Sequence, residues 1–519
     1  MELENKKLHG NQEVGRAFSQ ITLDDDYNLP DYKPDLTKVI RERGTIRFEE
    51  THVSSGHVWL KGVLSFSILY RTDLDNKKLN QLQGEIPFQE SLAIDGVEEH
   101  NPVRVEGKIE DISVSVINSR KLSIRALAEF TATAQMPGEE KILTGIKEED
   151  TCEMLKETLE ALELITDKKD TLRIRKELSL SSNKPNMEEI LWSSVELRGM
   201  NSKPKSGEIE VNGEALIYVL YTGAEEEAGL QWFETTLPIH GGVECGSCEP
   251  EQIYWVRPSL EQWSLEIRQD EDGEERNLML EMVVQLEIGL WQEESMEMIA
   301  DLYALDRQVR PEFKTACFHR LWMKNEVKSK ITDKIELLEG EEDILQICVN
   351  EETLNIEQTT VTEDGVLAEG TMTVEILYMT SDESMPLGAK RALIPFQQLI
   401  EMPKAQGDMQ IWLHGEIDQV TTVLLDSRMI EVKAAVSLNL LAFQKQERQL
   451  ITNIEEEELD LKALQQSPGI VGYIVRPGDK LFCIAKEHHT TVGNLMETNH
   501  LSQPMVKSGE KLLIVKKVE

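Results

Sequence analysis

Apolar residues alternate with polar ones in three separate stretches of the chain, each of which follows a glycine. After Gly62, Gly213 and Gly370 every second residue is apolar: Leu64, Phe66, Ile68 and Tyr70; Ala215, Ile217, Val219 and Tyr221; Met372, Val374, Ile376 and Tyr378. A period of two is typical of a strand with one buried face, whereas an amphipathic helix has a period of 3.6. Each stretch is therefore predicted to be a β-strand.

The spacing of fixed residues around these strands indicates an internal repeat. The glycine and the tyrosine are 8 residues apart in all three copies, and a proline follows the tyrosine by 17 residues in all three. A second alternating stretch follows a turn that ends in Arg120 in copy one and in Arg428 in copy three, whereas copy two has an acidic insertion, 269–275, before Arg276. Identical spacing in three places is the mark of duplication. For these arginines a role in the turn is favoured over a role in binding.

We predict a mainly β protein with three tandem antiparallel β-sandwich-like modules at residues 25–142, 171–295 and 331–450. The segments 143–170, 296–330 and 451–470 are predicted to be linkers. In the first of them Leu155, Leu159 and Leu162 are four and then three residues apart, which predicts a connecting helix.

The pattern changes near the C-terminus, where a small strand-helix-helix-strand domain is predicted. Tyr473 to Val475 is β-prone, Pro477 and Gly478 end that strand, and an apolar run at 512–515 closes the domain. Between them apolar residues recur at helical spacing. Asp479 lies where a carboxylate could accept hydrogen bonds from the free amides of the first helix.

Residues 471–518 resemble a LysM domain. The resemblance is carried by residues at both strands and both helices, which are Val475, Gly478, Asp479, Leu481, Ile484, Ala485, Leu495, Asn499, Gly509, Leu512 and Ile514. It implies a shallow groove for N-acetylglucosamine polymers such as peptidoglycan, between the loop after the first strand and the loop before the last. The implied groove residues are Gly478, Asp479, Lys480, Leu481, Phe482, Met505, Val506 and Ser508.

Two departures from the LysM pattern leave the ligand open. Lys480 stands where a Thr or Ser is usual, and Met505 with Val506 adds apolar surface. Aromatic and cationic side chains are typical anchors of protein interfaces, so a protein partner is the competing hypothesis, with Lys480 and Phe482 as contacts. For Phe482 a role in the small core is equally compatible with the sequence.

The net charge of the chain disfavours some classes of binding partner. Its 519 residues carry a formal net charge of −40, which makes nucleic acid and anionic membranes poor partners. The N-terminal residues lack the apolar segment of a signal peptide, and no apolar run is long enough to span a membrane, so we expect a cytoplasmic protein without membrane insertion.

The chemistry-bearing residues do not form a recognisable catalytic or metal motif. Cys245 and Cys248 have the spacing of a metal or redox pair, but no second pair accompanies them, so a zinc site is disfavoured. The chain has no serine-hydrolase, metalloprotease, phosphate-binding or dinucleotide signature. We therefore predict a protein that is not an enzyme and needs neither metal nor cofactor.

The three repeats together with the C-terminal domain resemble the SPOCS-domain (DUF3794) spore coat morphogenetic proteins of Clostridia, the SipL type. The resemblance covers about residues 25–516. It implies a scaffold for spore coat assembly in the mother cell, at the forespore surface, whose LysM domain docks on the coat ATPase, stage IV sporulation protein A (SpoIVA). The competing hypothesis is a peptidoglycan-binding protein of the spore envelope.

Overall fold

Each repeat folds as two three-stranded antiparallel sheets packed face to face. In the computed structural model the described residues are 2–73, 78–147, 152–225, 228–382, 385–404, 409–459 and 468–515. Module 1 contains β1 (Leu3–Asn28), β2 (Leu36–Ser54), β3 (His57–Thr72), β4 (Leu79–Ala93), β5 (Val103–Asn118) and β6 (Lys121–Ile146). Its sheets have the orders β2-β3-β4 and β1-β6-β5, and the predicted sandwich-like architecture is confirmed.

Modules 2 and 3 repeat this arrangement. Module 2 contains β7 (Cys152–Ser179), β8 (Met187–Lys205), β9 (Glu208–Gly223), β10 (Leu230–Glu244), β11 (Ile253–Arg268) and β12 (Asn277–Ala304). Module 3 contains β13 (Arg307–Glu336), β14 (Ile344–Val361), β15 (Gly365–Thr380), β16 (Leu387–Glu401), β17 (Gln410–Asp426) and β18 (Met429–Glu458). The sheet orders are β8-β9-β10 with β7-β12-β11, and β14-β15-β16 with β13-β18-β17.

The central strand of one sheet in each module is the alternating stretch found in the sequence. In β3 the side chains of Leu64, Phe66, Ile68 and Tyr70 are at most 2% exposed. They pack against the opposite sheet, where the Phe130 ring stacks on Phe88 with centroids 4.9 Å apart. Burial of aromatic and aliphatic faces between two sheets is the main stabilising term of such a module.

The predicted connecting helix is wrong, because the described part of that segment, from Cys152 onward, belongs to strand β7. The three leucines that suggested a helix contact three different neighbours. Leu155 packs against the C-terminal domain, Leu159 against the other modules, and Leu162 against a tryptophan-rich cluster. In the strand, Leu155 and Leu159 share one face, and Leu162 lies on the opposite face, where Lys156, Thr158 and Glu160 are exposed. A spacing of four residues therefore fits a strand as well as a helix. Residues 148–151 lie outside the described residues.

The other two predicted linkers are also largely strand. Residues 296–304 continue β12, residues 307–330 lie in β13, and β18 runs to Glu458. Residues 460–467 of the third segment lie outside the described residues. The long strands β1, β6, β7, β12, β13 and β18, of 26 to 30 residues each, therefore extend well past the sandwich cores.

The three modules pack around a common pseudo-threefold centre, and we call this assembly the ring. Residues at equivalent repeat positions meet in one cluster, as Leu69, Leu220 and Leu377 do. The long strands form a second shared cluster, which contains Leu8, Ile142, Leu159, Ala161, Met296, Met298, Ala316, Phe318 and Leu450. Ion pairs join every pair of modules: Lys33 to Glu189, Arg198 to Glu352, and Arg391 to Asp111.

The C-terminal domain is built as predicted from two short strands and two short helices. These are β19 (Ile470–Ile474), α1 (Leu481–Glu487), α2 (Val492–Thr498) and β20 (Lys511–Val515). The Thr491 hydroxyl caps α2 by accepting a hydrogen bond from the amide of Asn494 at 3.0 Å. Among the described residues no helix is long and apolar enough to cross a membrane.

Candidate binding groove and its attachment to the ring

The first groove loop is closed by hydrogen bonds within the domain. The Asp479 carboxylate accepts a hydrogen bond from the Arg476 amide at 2.8 Å and another from the Tyr473 hydroxyl at 2.7 Å, which lower the pKa of Asp479. The expected cap is not made, because Lys480 is the N-cap residue of α1 and no side chain caps that helix. Gly478 has φ +89, a conformation that favours glycine. Asp479 therefore holds the turn.

The next three predicted groove residues face the domain core and the ring. Leu481 is 1% exposed and Phe482 is 6% exposed. The Phe482 ring lies 5.1 Å from that of Tyr303 on β12, in an edge-to-face geometry. The Lys480 ammonium pairs with Glu157 on β7 at 2.9 Å. Both side chains contact module 2 of the same chain, whereas the sequence hypothesis concerned contacts with a separate protein partner.

Three further contacts fix the domain on module 2. The Lys486 ammonium donates to both carboxylate oxygens of Asp301, at 2.6 and 2.8 Å. The Tyr303 hydroxyl donates to the carbonyl of Thr490 at 2.8 Å, and burial raises the pKa of Tyr303. Leu155 packs beside this tyrosine against the domain core. An apolar centre flanked by two ion pairs gives the domain a defined orientation on the ring.

The second groove loop stays accessible. Met505 is 73% exposed, and Ser508 is also exposed. Val506 is half-buried and packs against the domain core. The predicted groove residues are thereby divided. Gly478, Met505 and Ser508 are open to solvent, whereas Leu481 and Phe482 are buried.

A charged network lies between the modules at the ring centre, formed by Arg41, Arg43, Trp192, Glu351 and Glu375. Glu351 accepts hydrogen bonds from Arg43 at 2.6 Å and from the Trp192 indole at 3.1 Å, and it forms an ion pair with Arg41 at 3.0 Å. Arg41 donates its hydrogen bond to Glu375 at 2.8 Å. Both guanidinium groups stack over the Trp192 ring, 4.9 and 4.6 Å from its centroid. Burial alone would raise the pKa of Glu351, but the two arginines hold it below its usual value.

The repeat arginines clamp the turn that joins the two sheets, as the sequence favoured. Arg120 donates to the carbonyls of Leu29, Pro30 and Lys33. Arg428 bonds the corresponding turn of module 3, at Leu338 and Glu341. Arg276 makes the same bonds in module 2, to Ser181 and Lys184. The acidic insertion before Arg276 therefore leaves the clamp intact.

Cys245 and Cys248 occupy core positions of module 2. Both thiols are free and buried, and burial raises the pKa of Cys248 to about 11. The equivalent residues of module 1 are Ile94 and Val97, which are also buried. Among the described residues no group of three or more His, Cys, Asp or Glu side chains could hold a metal ion. The geometry indicates that these cysteines pack as small apolar residues.

The sequence analysis did not identify the residues of module 2 that contact the LysM domain. Glu157, Asp301 and Tyr303 lie in segments that had been predicted to be linkers. One signal was available in the sequence. Around Tyr303, residues 296–304 have apolar side chains at alternating positions and contain no Gly or Pro, a pattern that is typical of a strand and not of a linker.

Comparison with known families agrees with this architecture. The SipL, SPOCS domain model matches residues 35–117, 186–268 and 343–425, and the LysM domain model matches residues 473–515. A search of curated proteins gave no significant match, and a search of solved structures gave none either. The three SPOCS matches lie at equivalent positions of the three modules, from β2 to β5 in module 1, from β8 to β11 in module 2 and from β14 to β17 in module 3. The LysM match covers the C-terminal domain. The chain therefore belongs to the proteins that combine SipL-type SPOCS domains with a C-terminal LysM domain.

Proposed function

We propose that this chain is a non-enzymatic adaptor of spore coat assembly that docks through its LysM domain on the coat ATPase, stage IV sporulation protein A (SpoIVA). The SPOCS repeats support a sporulation role, and both matched families are binding or scaffold domains. Its proposed place is the mother-cell cytoplasm, at the surface of the forespore.

The observation that carries the adaptor hypothesis is the fixed orientation of the LysM domain. Two ion pairs and the Tyr303 contacts use one side of the domain for attachment. The opposite side then presents a surface that moves with the ring, which suits a scaffold that must hold a partner at a set position. The side chains of Lys480 and Phe482 are engaged with module 2, so the first loop has fewer groups left for a sugar.

Affinity purification from sporulating cells tests this function. The intact chain and a version ending at Gln466 are compared, and the proteins that co-purify are identified by mass spectrometry. We expect SpoIVA with the intact chain and its loss with the shorter one, whose ring must still unfold in one transition. Equal recovery of SpoIVA with both would place docking in the repeats and refute a LysM adaptor.

Peptidoglycan binding is the second candidate, and the accessible second loop favours it. Gly478 and Ser508 remain exposed on the two sides of the groove. Calorimetric titration of the full chain with an N-acetylglucosamine hexamer measures this activity. If the hexamer binds and the substitution Met505→Glu weakens its binding, the result supports a glycan site. If no heat of binding is measured at millimolar sugar, the peptidoglycan hypothesis is refuted.

A further inference from the structure

The LysM sheet has a second apolar face that the domain core does not cover. In the antiparallel pair of β19 and β20, Ile470 lies opposite Val515, Gly472 opposite Leu513, and Ile474 opposite Lys511. Residues that are directly opposite share a face of the sheet. Ile470, Ile474 and Leu513 are 67%, 61% and 47% exposed. We call this surface the outer sheet face.

This face breaks the pattern expected of a small domain on a soluble protein. The alternate residues Val471, Tyr473, Leu512 and Ile514 already form the inner face and pack in the core. The residues between them should then be polar, because a sheet that covers one core needs only one apolar side. Three large aliphatic residues together on the other side mark an interaction surface.

The outer sheet face is not used by the contact with the ring. The attachment runs through α1 and the turn that follows it, at Lys480, Phe482, Lys486 and Thr490. In the described part of the domain, β19 and β20 pair only with each other. Both strands therefore have an open edge next to the apolar residues.

The charge of the domain indicates the chemistry of what would cover this face. Residues 469–519 hold seven Lys or Arg and five Asp or Glu, a net charge of +2, so the remaining 468 residues carry −42. Lys511 lies on the outer sheet face itself, and Arg476 and Lys507 flank the two strands. Within the described residues none of these three forms an ion pair, in contrast to Lys480 and Lys486. The uncompensated cations favour an acidic partner.

We propose that the outer sheet face is a docking surface for an acidic, amphipathic segment of the partner protein, at a site separate from the LysM groove. Aliphatic side chains of that segment cover Ile470, Ile474 and Leu513, and its carboxylates pair with Lys511 and its basic neighbours. This inference rests on the proposed adaptor function and adds the surface and the chemistry through which the adaptor binds.

Binding of purified SpoIVA to the full chain and its variants tests the surface. The face variant carries Ile470→Thr, Ile474→Thr and Leu513→Thr, because threonine is β-branched and suits a strand. The matched control carries Leu338→Thr, Leu345→Thr and Leu393→Thr, three aliphatic residues of module 3 that are 67%, 63% and 62% exposed. A separate groove variant carries Met505→Thr. A charge variant carries Lys511→Glu. Thermal unfolding of each protein confirms that the domain is folded.

We expect the dissociation constant to rise at least about tenfold in the face variant and several-fold in the charge variant, while the control stays within about twofold. The wild-type affinity should also weaken with added salt. If the groove variant Met505→Thr loses binding and the face variant keeps it, the adaptor function stands and the docking surface is the groove.

Two other outcomes overturn the inference in different ways. If the wild-type chain does not bind SpoIVA at all, the proposed function fails and the docking surface fails with it. If the wild-type chain alone sediments as a dimer and the face variant as a monomer, the surface is covered by a second copy of this chain and not by an acidic partner.

Discussion

The substitution Glu351→Gln should destabilise the packing of the three modules at the centre of the ring. Glu351 is the acceptor that joins all three modules, since it lies on β14 and receives hydrogen bonds from Arg43 of module 1 and Trp192 of module 2. It also forms an ion pair with Arg41 of module 1. Its side chain is 12% exposed and that of Arg41 is 4% exposed. Removing the negative charge takes away the ion-pair partner of Arg43 and leaves Arg41 with its ion pair to Glu375.

The size of the effect follows from what remains after the change. Breaking a buried ion pair by removing one partner typically costs 3–5 kcal/mol, because the other charge stays desolvated. The glutamine oxygen can still accept one hydrogen bond, and Arg41 keeps its bond to Glu375 at 2.8 Å. Two nitrogens of Arg41, Nε and Nη1, already have no hydrogen-bond partner. We therefore expect a loss of about 3 kcal/mol in the free energy of unfolding, at the lower end of that range.

Urea unfolding followed by circular dichroism measures this loss. The matched control is Glu85→Gln, which removes a partner of Arg47 on the same strand as Arg41. That pair is separated by 3.2 Å, but its side chains are 52% and 55% exposed. Its loss should cost less than about 1 kcal/mol. If Glu351→Gln costs no more than this control, the charged network does not hold the ring together and the reasoning is refuted.

Three further outcomes follow from the same structure. Arg276→Gln should cost about 2 kcal/mol in urea unfolding, because it removes the turn clamp, whereas Arg175→Gln at an exposed pair should cost little. The double substitution Cys245→Val and Cys248→Val is close to volume-conserving, so each change should cost less than about 1.5 kcal/mol, and the melting temperature should not respond to zinc. A larger loss in the variant together with a zinc-dependent melting temperature of the unmodified chain would contradict the packing role. Burial raises the pKa of Glu196 from 4.5 to about 8, so the folded state binds its proton more tightly than the unfolded state does. The resulting stabilisation is complete below pH 4.5 and is lost as the pH rises to about 8; Glu196→Gln should flatten this slope, and an unchanged slope would exclude Glu196 as its source.

The strands and the repeat could be predicted from the sequence, because each depends on local periodicity or fixed spacing. Tyr70, Tyr221 and Tyr378 are buried at equivalent positions, as their alternation with polar residues required. The error at Leu159 arose because Leu155 and Leu159 are four residues apart, a spacing that places two side chains on one face of a helix and also on one face of a strand.

The ring and the attachment of the LysM domain could not be predicted in this way. The interface residues at equivalent repeat positions differ in chemistry, as in Arg43, Ser194 and Glu351, so no shared motif marks them. Their role depends on which modules meet in space. For the same reason the sequence suggested Lys480 and Phe482 as contacts of a separate protein partner and gave no sign that they contact module 2.

The unlike residues at the ring centre have a consequence for how such a protein can change during evolution. Three identical subunits around an axis would place the same side chain at all three positions, so an arginine could never face a glutamate from its own equivalent site. Fusion of the copies into one chain removes that restriction, so Arg43 and Glu351 can form an ion pair although they occupy equivalent positions of the repeat. Once the copies have become complementary in this way, none can replace another. Deletion or exchange of one copy would leave Arg43 or Glu351 without its partner, so we expect three copies in this order to be retained.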